Sequence, residues 1–67
     1  MDRVMIQTIE AALQDRIKEV NRLIAFWERQ SGDGDPYAGN WIKYNQHLLE
    51  ESERALAEMD RIRDTLA

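Results

Sequence analysis

All three glycines and the only proline of this 67-residue chain fall within the run SGDGDPYAGN, residues 31–40. Glycine frees φ and proline fixes it, so these two residues punctuate regular structure more strongly than any others. Together with Ser31, Asp33, Asp35 and Asn40 they mark a loop. Their confinement to one stretch leaves a long uninterrupted segment on each side. The chain therefore has room for one break and two long elements.

Both segments carry helical periodicity. In the first, Ile6, Leu13, Val20 and Trp27 recur every seven residues, with Ile9 and Leu23 three further on and Ile17 and Ile24 beside them. Polar residues Gln7, Gln14, Asn21 and Glu28 take the opposite face. That is an amphipathic helix with a broad apolar stripe. In the second, the stripe is Trp41, Leu48, Ala55 and Ile62, joined by Asn45, Ser52, Met59 and Leu66 and flanked by Ile42, Leu49 and Leu56. The pattern predicts one domain over 1–67, with a helix over about 2–30, a loop over about 31–37 and a helix over about 38–66. Gly32 is placed to end the first helix in the left-handed conformation. Asp35-Pro36 suits the start of the second, with Asn40 as an alternative cap.

A short connection between long amphipathic helices makes them antiparallel neighbours. Matching the stripes about a loop centre near residue 34 pairs residues whose numbers sum to about 68. Trp27 then faces Trp41, Val20 faces Leu48, Leu13 faces Ala55, Ile9 faces Met59 and Ile6 faces Ile62. Each stripe is wider than a single helix–helix seam requires, since a two-stranded seam uses only two positions of each heptad. The expected architecture is an all-α antiparallel hairpin that pairs into a homodimeric four-helix bundle, or else completes a bundle with another protein. Arg16 is the one charge read on the first seam, and it falls beside Ser52. Arg16, Asn45 and Ser52 are the polar seam positions expected to set register.

Composition narrows the partners. Nine Lys and Arg against thirteen Asp and Glu give a net charge of −4, with the acidic excess concentrated after residue 49. Affinity for nucleic acid comes largely from cations that displace counterions, so this balance weighs against a nucleic-acid-binding hairpin dimer. It also disfavours anionic lipid. No run approaches the roughly 18 apolar residues of a membrane span. With no cysteine, neither disulfides nor thiolate metal sites are available. The opening MDRVMIQTIE mixes acids and bases early, which makes a soluble cytoplasmic chain the expectation.

Five residues are aromatic: Phe26, Trp27, Tyr37, Trp41 and Tyr44. In a hairpin they all gather at the loop end. Trp27 and Trp41 are expected to plug the end of the core. Phe26, Tyr37 and Tyr44 lie on the flank and form the candidate partner-binding surface, because aromatic clusters are favoured at interfaces.

Catalytic chemistry has little to stand on. His47 is the only histidine, and His47-x-x-Glu50 with Glu51 and Glu19 nearby offers a metal-binding alternative. His47 and Glu50 point away from the stripe, however, and a bundle metal site needs several inward ligands. Asp33 and Asp35 lack the closing glutamate of a calcium loop, so turn chemistry accounts for them. No triad or phosphate loop is present. The expectation is a small helical assembly or adaptor protein, not an enzyme, with no cofactor. It acts in regulation through protein–protein contact, with itself and a second protein as partners.

Overall fold

The computed structural model describes residues 2–66. Two helices make up the fold, α1 over Arg3–Gly32 and α2 over Ala38–Thr65. They lie antiparallel as a hairpin measuring 51 × 14 × 12 Å.

Asp2 starts α1. Its backbone is extended and its carboxylate accepts from the Met5 N–H at 2.8 Å, which satisfies one of the donors left free at a helix start. The helix continues to Gly32, two residues past the expected end. Gly32 does not terminate it. That role falls to Gly34, whose φ is +92°. The Gly34 N–H donates to Ser31 O at 3.1 Å and the Asp35 N–H donates to Gln30 O at 3.0 Å. Together they close the paired-bond turn of a glycine-terminated helix. Pro36 explains why the stop lies here: its ring pushes Asp35 out of the helical region, and Gly34 makes the turn that this requires.

The start of α2 follows the Asp-Pro reading in substance. Asp35 Oδ1 accepts from the Tyr37 N–H at 2.9 Å and Asp35 O accepts from the Ala38 N–H at 3.4 Å. The turn at Pro36 and Tyr37 leads straight into the helix. Tyr37, the residue before α2, makes no side-chain cap, and Asn40 sits inside the helix.

The register matches the expected one where it can be read. Trp27 stacks on Trp41, with ring centroids 5.6 Å apart and planes 15° apart. Leu13 and Ala55, and likewise Arg16 and Ser52, line one shared cavity. The centre of the seam differs from the expected one. On α2 the deepest column is Ala38, Asn45 and Ser52, all nearly inaccessible. Trp41 is 46% exposed and so does not plug the core. Small side chains take the line of closest approach, and the bulky column beside them is displaced to the flank.

Among the described residues only Ile6, Val20 and Ala38 are buried hydrophobic residues. Leu13, Ile17, Ile24, Leu48, Leu49, Leu56 and Met59 are half-buried. The accessible surface is 5054 Å², against roughly 4,400 Å² for a compact monomer of this mass. The radius of gyration is 15.3 Å, where a compact domain of this length has about 11 Å.

The two kinds of glycine site separate in a stability measurement. Gly34→Ala places a Cβ on a left-handed residue and is expected to cost about 1–2 kcal/mol. Gly39 lies in α2 with nothing near its Cβ position. Gly39→Ala is expected to stabilise by about 0.5–1 kcal/mol. Urea melts of both variants at one protein concentration check the pair.

Candidate functional site

The aromatic residues assemble across the loop end. Phe26 meets Trp27 edge-on at 5.0 Å, Trp27 stacks on Trp41, and Trp41 meets Tyr44 edge-on at 6.1 Å. Four rings from two helices thus form one continuous ladder. Offset and edge contacts of this kind contribute about 0.5–1.5 kcal/mol each beyond area burial. The ladder brings Phe26 and Tyr44 into one surface. Tyr37 makes no ring contact in it and stands 68% exposed at the loop.

Heptad geometry shows what continues from the ladder. Ile9, Arg16 and Leu23 share a column on α1, with Met5, Ala12, Glu19 and Phe26 in the column outside it. Trp41, Leu48, Ala55 and Ile62 form a column on α2, with Tyr44, Glu51 and Glu58 outside it. Both sets lie on the same side of the hairpin. The ladder joins them at one end and, near the middle, so does a cavity of about 210 Å³ lined by Leu13, Arg16, Glu51, Ser52 and Ala55. The result is an elongated face with an apolar middle, Arg16 and Glu51 at its centre, and Glu19 and Glu58 along its outer edges, paired with Arg22 and Arg61. On the other side, α1 presents polar Gln7, Gln14 and Asn21.

The polar seam residues divide. Asn45 and Ser52 are buried as the stripe required. The Asn45 amide donates to Trp41 O on its own helix at 2.8 Å, so that bond does not cross the seam. Arg16 is exposed at the rim of the cavity. The buried charge is instead Glu10, which is 7% exposed. Arg63 donates to both of its carboxylate oxygens, at 3.1 and 2.9 Å, and also holds Asp60 at 3.0 Å. This pair is the polar contact that ties the two helices at their open end. A signal for it existed, since Glu10 falls in the column of Ile17 and Ile24.

Burial raises the Glu10 carboxyl above its ordinary range, helped by neighbouring Asp60 and opposed by Arg63. Arg61 lowers Glu58, chiefly by hydrogen bonding to it. Much of the acidic end of α2 is therefore engaged in local pairs. The residues considered for a metal are not gathered. His47 Nε2 lies 3.4 Å from Glu51 Oε1 on an exposed surface, while Glu19 pairs with Arg22 at 3.2 Å. Among the described residues no group of three or more His, Cys, Asp or Glu side chains could hold a metal ion. Among the described residues no helix is long and apolar enough to cross a membrane.

In comparison with known proteins, the chain matches no family model, no curated protein and no solved structure.

The ladder and the loop tyrosine respond differently to truncation. Trp27→Ala removes the ring that joins Phe26 to Trp41 and is expected to cost about 3 kcal/mol. Tyr37→Ala is expected to stay within about 0.5 kcal/mol, as exposed positions do. Thermal melts followed by circular dichroism distinguish the two.

Glu10 gives a pH signature. Its folded-state value lies above the unfolded one, so its contribution is fully present below the unfolded value and is lost as pH rises through the folded one. Glu10→Gln removes that loss. The variant is expected to gain on the parent as pH rises from below the carboxylate range to neutrality, in urea melts run across that interval.

Proposed function

We propose that this chain is a small helical assembly protein that acts by protein–protein interaction, and that its first partner is a second copy of itself. The observation that carries this reading is the shortage of interior. Among the described residues of this 67-residue chain three hydrophobic side chains are buried, while a full stripe of Leu, Ile and Met stays half in water. An isolated hairpin gains little from such a stripe. A chain that meets a second apolar face removes it from water, which is the main favourable term in association. Pairing into a four-helix bundle provides that cover with elements the chain already has.

An adaptor or regulatory role fits the same features. The exposed aromatic end is of the kind that carries binding energy at interfaces. Phe26, Tyr37 and Tyr44 are the residues proposed to meet a partner. The proposed setting is the cytosol, on the composition and charge pattern already described.

Sedimentation equilibrium tests the reading directly. The expected result is a dimer at micromolar concentration, with helicity that falls on dilution. A fully helical 7.9 kDa monomer that stays monomeric and stable through that range would refute it.

A further inference from the structure

The self-association proposed above leaves open which face is used and how the two hairpins are oriented. We infer that two copies pair through the face bearing the aromatic ladder, with their loop ends together, and that Arg16 of each copy meets Glu51 of the other.

Four observations converge on this arrangement. The first is composition. Met5, Ile9, Ala12, Leu23 and Phe26 of α1 and Trp41, Tyr44, Leu48, Ala55 and Ile62 of α2 share one side, with Glu19 and Glu58 at its outer edges, and none of these is fully buried. The second is size. An outline of 51 × 14 Å offers roughly 700 Å² per copy, near the ~800 Å² per partner of a standard interface.

The third is the chemistry at the centre. Arg16 and Glu51 both line the central cavity yet form no ion pair with each other. Among the described residues Arg16 is in no ion pair at all, and Glu51 meets only His47 of its own helix. Each copy thus presents one unmatched cation and one carboxylate that the seam does not use.

The fourth is symmetry. A two-fold interface must be self-complementary, and only two orientations lay this face on itself. With the loop ends apart, α1 lies over α1 and α2 over α2. Arg16 and Glu51 sit near the midpoints of their helices, so Arg16 would fall on Arg16 and Glu51 on Glu51. With the loop ends together, α1 of one copy lies over α2 of the other. Arg16 then falls on Glu51 twice. The same overlay sets Ala12 against Ala55, Glu19 against Leu48, Leu23 against Tyr44, and Phe26 against Trp41. Like charges placed opposite each other select against the first orientation, and opposite charges select for the second. The two ladders then meet as one aromatic cluster at the loop end.

The test uses the full chain and two charge reversals. Arg16→Glu alone and Glu51→Arg alone should each weaken the homodimer at least about tenfold. An equimolar mixture of the two variants should recover the parental affinity, because the heterodimer restores both opposite-sign cross-pairs, one in its parental sense and one reversed. Glu51→Arg is informative by itself. It reduces the net charge from −4, which on general grounds favours association, whereas the pairing requires weakening. Glu53→Arg makes the same change of charge away from the face and should not weaken the dimer. Spin labels at Asp33→Cys, in the loop, should lie well under half of the 51 Å length apart. A parental chain that is monomeric overturns the assembly itself. A dimer that ignores both reversals, is not rescued by mixing, is weakened equally by Glu53→Arg, or holds its loop labels near 51 Å apart overturns this pairing and leaves the assembly standing.

Discussion

Two helices laid side by side can hide only the strip along which they touch, and every other feature of this hairpin is arranged around that strip. Its α2 side is a column of small residues, Ala38, Asn45 and Ser52. Because these side chains are short, they occupy the line of contact and the larger Trp41, Leu48, Leu49 and Leu56 are displaced to either side. The seam is thus closed with little apolar volume, and most of the chain's hydrophobic material is left at its edges. The same choice makes the hairpin well defined and leaves its stripe incompletely covered.

The Glu10–Arg63 pair works against the economy of burial. Burying a carboxylate is costly, and the raised position of Glu10 shows that Arg63 does not fully compensate. What the pair provides is specificity. Arg63 reaches both oxygens of Glu10 and the adjacent Asp60, a geometry that a slip of one helical turn would destroy. Trp27 on Trp41 performs the matching task at the loop end through shape. The register is thus held at both ends by unlike means, an ion pair at one and a ring stack at the other.

The two-helix architecture was legible because the loop residues are so tightly confined and both stripes keep strict heptad spacing. The 68-sum register followed from the loop centre and places Trp27 on Trp41. Three details were not legible, each for a local reason. The terminating glycine was misplaced at Gly32 because a glycine count cannot show where Pro36 forces its neighbour out of the helix. The centre of α2 was assigned to the column of Trp41 and Leu48, although the adjacent column of Asn45 and Ser52 is the one small enough to approach α1. Glu10 shares a column with Ile17 and Ile24, but its charge alone reads as a solvent-facing residue. At the candidate surface, the clustering of the aromatics was readable, but the exposed position of Arg16 beside a cavity depends on how the bulky residues splay.

The tight turn at Gln30–Ala38 also bears on how the chain finds its fold. Closing a loop this short costs little entropy, and each further contact up the hairpin adds only a small increment of separation along the chain. The ring stack lies immediately next to that turn, while Ile6 and the Glu10–Arg63 pair lie at the far end. Contact order therefore favours assembly of the hairpin as a zipper from the loop outward. Both tryptophans stand where the zipper begins, so their fluorescence reports the earliest closure, and loosening at the open end passes beneath their notice.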